Sequence, residues 1–577
     1  MSESKDLSLK VDNNGHSCET AVERVEDVEQ HGENAEENAV QQIHAKTIIL
    51  LIAIVAIYFV QVLHLAGSGL LASTITAVTG GATQSIWLTA ALGISAAALG
   101  APVSQASDFW GRKWFTVGFS ALGFIGCLIV SRATNFGMVI GGQSIACLAL
   151  GAQPLVHAIA SEIVPRKYRS LAQSAVNVAS ASGGLTGIMI GGALVRFNPE
   201  GFRIYFYITA ALYGATAAIV LWLYNPPPRQ LQIELRQTQK LAQLDWYGYL
   251  LFVPGLILFS YALTSSSGVY PWSSSKIIGP LVVGVLLLVM FIVYEWKLLA
   301  SGMLHHGLFS KGRNFPICVA LIFTEGLAFF AANTFYAYEN AVLYDQDFFH
   351  AGLRFTVVFW SANVATILTG LYVSRTKQLR LPLIVATSFI TLFFATMASL
   401  TPSTPQSPIG FAVFLGLGLG SALNTVVVTA QLSTPPDLIA LASGLMIAMR
   451  STGGTVGLSI FQALLSNALS KQLPEKVLGQ VIPLGFDTGY TGVLLDGLGA
   501  QNGTLLESIP GITPQIITAA VVGVKEAYSI SFRRVWIAAA AFAAVATLLS
   551  CFIVDNKQEF TMHIDAPVES EAELSRR

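Results

Sequence analysis

Charge is what this sequence has least of. Of its 577 residues only 11% are Asp, Glu, Lys or Arg, 53% are hydrophobic, and the mean hydropathy is +0.61. Soluble domains carry about 25% charge, so a chain this oily cannot solvate a water-facing surface and is expected to be an integral membrane protein. A basic excess is also missing. The formal net charge of -1 argues against a nucleic-acid partner, because a polyanion binder needs clustered cations. The five cysteines form neither a CxxC pair nor a metal-ligand spacing, and four of them (Cys127, Cys147, Cys318, Cys551) sit in apolar stretches as small hydrophobes. GxxxxGK[ST] and HExxH are absent as well. Without a nucleotide or metal motif the chain is expected to be neither an enzyme nor a holder of a cofactor or metal. No cleavable signal peptide is legible at the start. Residues 1–46 hold eleven acidic and four basic residues and read as a disordered cytosolic tail.

What is present is a series of apolar runs long enough to cross a bilayer as helices. Fourteen are expected, at 47–67 (with room to run on towards 78), 84–104, 114–130, 136–158, 172–194, 204–224, 247–264, 276–295, 315–335, 354–373, 381–400, 409–429, 440–465 and 533–553. Basic residues orient them. One set of short loops carries fourteen Lys or Arg, among them Arg112, Lys113, Arg166, Lys167, Arg169 and Arg375, and the opposite set carries five. The richer side is expected to be cytosolic, with both termini on it. NPPPRQLQIELRQTQKLAQLD at 225–245 is the clearest internal boundary, since three prolines stop the sixth span. The expected organisation is a tail at 1–46, a six-helix bundle at 47–224, the cytosolic linker 225–245, two extra spans at 246–296, a second six-helix bundle at 297–555 and a C-terminal tail at 556–577. The second bundle includes a long outer loop at 466–532, in which 513–524 suggests an amphipathic helix and Asn502 opens an N-glycosylation pattern.

Ionisable groups inside such spans are costly in lipid and usually face a cavity or a partner. Glu325, His64 and Arg450 are the notable ones, with Gln143, Gln153, His157 and Asn177 adding polarity to the fourth and fifth spans. Glu325, His64, Gln143 and Arg450 are the candidates for proton coupling or substrate contact; Arg450 is a candidate counter-charge for Glu325. Two glycine runs lie on single helix faces: Gly183, Gly187 and Gly191 (with Gly192 following) in NVASASGGLTGIMIGG, and Gly453 and Gly457 in RSTGGTVG. Small residues every four positions allow close helix approach. With no ATP-hydrolysing domain in view, the expected energy source is an ion gradient, with facilitated diffusion as the alternative.

The gap SDFWGRKW at 107–114 resembles the loop between the second and third helices of the major facilitator superfamily, roughly G-x-x-x-D-x-x-G-R-[RK]. Asp108, Gly111, Arg112 and Lys113 match in order, and Ser104 stands in place of the leading glycine. The glycine run at 183–192 resembles the fifth-helix signature of drug–proton antiporters, with Ile188 where proline is usual and Gln143 where the fourth helix usually has arginine. GFRIYFYITAALYG, RSTGGTVG, LDWYG, YPWSS and HHGLFSKGRNF are similar to the fourteen-helix branch, especially its fungal trichothecene efflux pump type.

The resemblance covers about 47–555 and implies an all-α membrane fold of two six-helix bundles plus two inserted helices. It implies a conformational latch built on Asp108, Gly111, Arg112 and Lys113, with Arg166, Lys167 and Arg169 as partners across the loop. It also implies proton-coupled export of a toxin, drug or secondary metabolite by alternating access. The implied partners are a small organic substrate, protons and the lipid bilayer; the chain is expected to work as a monomer in the cell membrane, or alternatively the vacuolar membrane. Siderophore–iron uptake is the alternative within the same plan. A nontransporting sensor or scaffold is the alternative of another class.

Overall fold

Inside a bilayer there is no water to bond backbone amides and carbonyls, so apolar spans must satisfy them within themselves, as helices. The computed structural model describes residues 45–566 apart from 82–84, 197, 228–231, 234–235, 267–270, 300–301, 311, 345–347, 406, 500–505 and 507. Nearly all of the N-terminal tail, the last eleven residues and Asn502 therefore lie outside the described residues. The first half of the chain forms α1 (Ala45–Thr79), α2 (Ile86–Trp110), α3 (Arg112–Ser131), α4 (Phe136–Cys147), α5 (Gln153–Glu162), α6 (Arg169–Val195) and α7 (Gly201–Leu223). After the short α8 (Gln237–Gln243) come α9 (Trp246–Ser266) and α10 (Ser275–Lys297). The remainder holds α11 (Gly307–Ser310), α12 (Asn314–Tyr344), α13 (Phe348–Thr376), α14 (Arg380–Met397), α15 (Ser407–Leu432), α16 (Ile439–Val481), α17 (Thr491–Gly499) and α18 (Pro514–Ser550).

Thirteen helical segments among the described residues are long and apolar enough to cross a membrane. The fourteenth expected span, 440–465, lies in α16, whose glycines, serines, threonines and Arg450 make it less apolar, and which packs among α2, α12 and α18. The first span does run on, to Thr79. The span expected at 136–158 is broken into α4 and α5 by a tight-helical stretch, Leu148–Ala152, just before Pro154, which cannot supply an interior helix donor.

Two further expectations are corrected. The segment expected as a long outer loop, 466–532, is largely helical, made of the end of α16 and the start of α18. At ~1.5 Å per residue these helices are about 65 and 55 Å long, far beyond the hydrocarbon thickness. Val477 and Val481 of α16 and Ile516 and Ala520 of α18 are buried together with Phe486, Leu494 and Ile509 from the stretch between them. The apolar run at 513–524 forms the start of α18 and packs into this cluster through Ile516 and Ala520. The segment after α18 is likewise not a free tail: its residues up to 566 are placed by hydrogen bonds.

The helices pack as two halves. In the first, α1 lies along α6 and α3 along α7; in the second, α12 lies along α16 and α13 along α15. Between halves, α2 meets α16 and α6 meets α13, while α9 and α10 pair with each other at the α2–α16 edge. The glycine runs sit where backbones touch. A Cβ at Gly183 would overlap the Phe59 carbonyl oxygen, and one at Gly453 would overlap that of Phe323. The two runs thus serve equivalent helix pairs, α1–α6 and α12–α16. Gly187 is equally tight, with Leu63 O at 2.6 Å from a Cβ, and at Gly457 a Cβ would meet the Leu327 side chain at 2.7 Å. Gly192 is buried, but at Gly191 a Cβ would meet its nearest neighbours only at 3.6 Å. Close approach ends one turn earlier than the sequence pattern does.

Candidate functional site

Where the halves face one another, α1, α2, the α4–α5 break, α6, α12, α13, α15 and α16 line a cavity. Glu325, midway along α12, is 2% exposed on its wall, and Arg450 from α16 grips it from the facing helix. Arg450 Nε donates to Oε2 at 2.5 Å and Nη2 to Oε1 at 3.0 Å, a bidentate pair. The two side chains can meet because Gly326 lets α12 touch the α16 backbone; a Cβ there would overlap the Arg450 carbonyl oxygen. The guanidinium also lies 5.0 Å from the Phe329 ring centre, a cation–π geometry. The expected Glu325–Arg450 contact is therefore made.

The opposite wall is polar without formal charge. Gln153 Nε2 donates to the Tyr58 hydroxyl at 2.9 Å, and Gln61 Nε2 to the Ala149 carbonyl at 2.7 Å, leaving Gln61 Oε1 unpartnered. Asn177 on α6 is 4% exposed and lines the cavity with neither amide atom bonded to protein. Phe329, Phe330 and Phe359 supply apolar surface around these groups.

His64 and Gln143 are brought together, but elsewhere. Within the first half, His64 Nε2 is 3.2 Å from Gln143 Oε1 and its Nδ1 is 3.4 Å from the Tyr213 hydroxyl. Gln143 Nε2 also donates to the Leu88 carbonyl at 3.0 Å and to Ser68 Oγ at 3.3 Å. Neither side chain lines the cavity. The glutamine that stands where arginine is usual ties α1, α2 and α4 together through neutral hydrogen bonds.

The gap at 107–114 lies on the face shared by the ends of α2, α5, α13 and α18. Gly111 ends α2 with φ of 90°, a conformation that side chains disfavour, and so lets α3 restart immediately. Arg112 folds back onto Asp108 at 3.2 Å and pairs with Glu162 at the end of α5. Lys113 donates to Asn225 at 2.5 Å. Arg166 and Arg169, expected as partners of the loop, instead hold the chain's C-terminal segment: Arg166 contacts Glu559 at 2.9 Å and Asp565 at 2.8 Å, and Arg169 pairs with Asp565.

Sequence reasoning missed two carboxylates. Glu162 lies within SEIVPRKYR, a stretch whose three cations mask it. Glu339 lies in the same span as Glu325 and is 1% exposed; its carboxylate accepts from Trp536 Nε1 at 2.8 Å. Glu339 lies beyond the span expected at 315–335, so the rule that singles out Glu325 did not reach it; only the longer α12 places it there.

Two helical halves in a membrane, meeting around an amphipathic cavity, define a secondary transporter for small organic molecules, a carrier rather than an enzyme. The chain belongs to the Major Facilitator Superfamily, whose family model matches residues 50–458. Similar curated proteins include the MFS-type efflux transporter ffsH of Aspergillus flavipes, 26% identical with 81% of this chain and 79% of that one covered. The trichothecene efflux pump TRI12 of Fusarium sporotrichioides is 23% identical over 80% and 78%. The acurin A biosynthesis cluster MFS-type transporter of Aspergillus aculeatus is 25% identical over 91% and 92%. Among solved structures, an inward-facing, unoccupied bacterial homologue of the human lysosomal transporter Spinster superposes with a TM-score of 0.53 at 15% identity, covering 88% of this chain and 98% of that one. The human organic anion transporter MFSD10 gives 0.52 at 12% identity, with 88% and 100% covered. At these identities the structural likeness speaks for the fold alone.

Proposed function

We propose that the protein is a proton-driven exporter of a toxin, drug or secondary metabolite, working by alternating access in a cell membrane with both termini in the cytosol. The carrying observation is the Glu325–Arg450 pair, a buried carboxylate held by its counter-ion at the wall of the cavity between the halves. A proton arriving at Glu325 removes the charge that Arg450 binds, so the two hydrogen bonds weaken and the guanidinium is free to re-pair or to rest on Phe329. That local change alters the α12–α16 contact, and so biases which face of the cavity is closed. Substrate would enter from the cytosolic side, rest between the aromatic wall and the amides of Gln61 and Asn177, and leave outward as the proton moves in. The printed names of similar curated proteins, efflux pumps and biosynthesis-cluster transporters, support export. Fourteen cations against five on opposing short loops support the orientation.

Trichothecenes serve as the first probe. Proteoliposomes loaded with labelled trichothecene and given an imposed pH gradient test the coupling, with an untargeted comparison of secreted and retained metabolites to widen the substrate search. Expected is efflux that accelerates when the gradient is imposed and collapses with a protonophore. Movement of a transported compound that is indifferent to the gradient would sink proton coupling.

A further inference from the structure

The segment that follows α18 crosses from one half of the molecule to the other. Its first residues are fixed to the second half. Val554 exchanges two backbone hydrogen bonds with the Asn314 amide, at 2.9 and 3.0 Å. Asp555 Oδ1 accepts from the amides of Leu379, at 2.6 Å, and Arg380, at 2.9 Å. Phe560 is 4% exposed, packed with Val373, Leu379, Val428 and Leu432.

The next residues are fixed to the first half, on the loop between α5 and α6. Lys167 N donates to Thr561 O at 2.9 Å, Arg166 N to His563 O at 3.1 Å, and Ala566 N to Glu162 O at 3.1 Å. Asp565 is enclosed, with a side chain 4% exposed, between Arg166 and Arg169, and the Arg169 side chain is itself 2% exposed. Glu559 adds a second carboxylate to Arg166, and His563 lies 3.8 Å from Asp565.

We propose that residues 554–566 are a strap that holds this face of the transporter closed, with Asp565 as its lock and Arg166 and Arg169 as its keeper. The strap has no slack. Phe560 is seated in the second half and Thr561 already bonds the first, and adjacent Cα atoms are only ~3.8 Å apart. The halves cannot part here by more than a few ångströms without pulling Phe560 from its pocket or undoing the Thr561–Asp565 contacts. Rocking that opens this face must therefore release one end of the strap. The charged end is the one suited to release. Its arginines and carboxylates regain hydration on parting, whereas Phe560 would be left exposed to water. The Arg112–Glu162 pair joins the end of α5 to the start of α3 inside the first half, and so cannot by itself report separation of the halves. Asp565 is thus a positioning residue of the transport cycle, acting on which face is open and not on what the cavity holds. The inference rests on alternating access, and needs neither the proton nor the cargo to be identified.

The test uses the full chain with Cys18→Ser and Cys551→Ser, and spin labels at Trp114→Cys and Arg375→Cys, exposed positions near this face on opposite halves. Distances are read by pulsed electron resonance in nanodiscs. Asp565→Asn is expected to raise the long-distance, face-open population at least threefold over the unsubstituted strap, and Arg166→Gln to do the same. Asp565→Glu is expected to leave the distribution close to the original. A chain ending at residue 555 covers the case in which the Asp565→Asn strap still docks, and gel filtration checks that each variant is folded. Unchanged distance distributions in both Asp565→Asn and the shortened chain would overturn the strap. Loss of gradient dependence in transport, with the distance shift intact, would instead count against proton coupling and leave the strap standing.

Discussion

At the scale of single residues, the Glu325–Arg450 pair neutralises a buried carboxylate with a bidentate cation. Glu325→Gln is expected to lower gradient-driven transport at least tenfold at equal surface abundance, measured in vesicles. Arg450→Gln leaves a buried carboxylate without its cation, which costs about 3–5 kcal/mol, so its melting temperature in detergent should fall clearly. The double substitution removes both charges and is expected to recover most of that thermal stability without recovering transport. A double variant no more stable than Arg450→Gln alone would show that the pair is not the coupled unit. Asn177 makes a different prediction. With both amide atoms unbonded at the cavity wall, Asn177→Leu should not lower thermal stability, but should raise KM roughly tenfold for a substrate that uses the amide, the worth of one good hydrogen bond. An unchanged KM for every transported compound would remove Asn177 from the binding surface.

At the scale of elements, the glycine-lined pairs α1–α6 and α12–α16 set how near the backbones come. Gly183→Ala must push α6 off the Phe59 carbonyl or distort it, an overpacking cost on the order of 1–3 kcal/mol. Gly191→Ala meets open contact at 3.6 Å and is expected to be neutral. Thermal melts of the two variants side by side check this, and equal melting temperatures would contradict it. The glycine periodicity was readable because i, i+4 positions share a face. That the run stops mattering at Gly191 was not, because the divergence of α1 and α6 depends on the curvature of both helices. The protruding ends of α16 and α18 were hidden for a related reason: a polar, charged sequence such as SNALSKQLPEKV says loop when judged by hydropathy, yet it forms a helix once α18 lies alongside.

At the scale of the whole molecule, the motif 107–114 and the loop 161–169 belong to one face, closed by the α2–α16 and α6–α13 contacts. Glu162→Gln removes one of the two carboxylates that hold Arg112. It is expected to change the rate of exchange between face-open and face-closed states, seen as altered turnover, while the ranking of substrates stays the same. A reordered ranking with normal turnover would place Glu162 in recognition instead. The motif was legible from Asp108, Gly111, Arg112 and Lys113, and the Glu162 counter-charge of Arg112 was not, since three nearby cations looked like the natural partners of Asp108. In space Arg166 and Arg169 face the C-terminal segment, almost 400 residues further along the chain (|i−j| = 399 for Arg166 and Asp565).

The sequence by itself determined the medium, the class of fold and the family, because these depend on quantities that are local along the chain: apolar run length against bilayer thickness, and a short motif whose glycine must take positive φ. It also singled out Glu325 and Arg450, since a charge in an apolar run needs a reason wherever it ends up. The tertiary structure alone decided who partners whom: Glu325 with Arg450, His64 with Gln143, Arg112 with Glu162, and Arg166 and Arg169 with the strap. Those pairings are set by which helix faces meet across tens or hundreds of residues, and a carboxylate's sequence neighbourhood carries no record of the cation that a distant helix will bring to it.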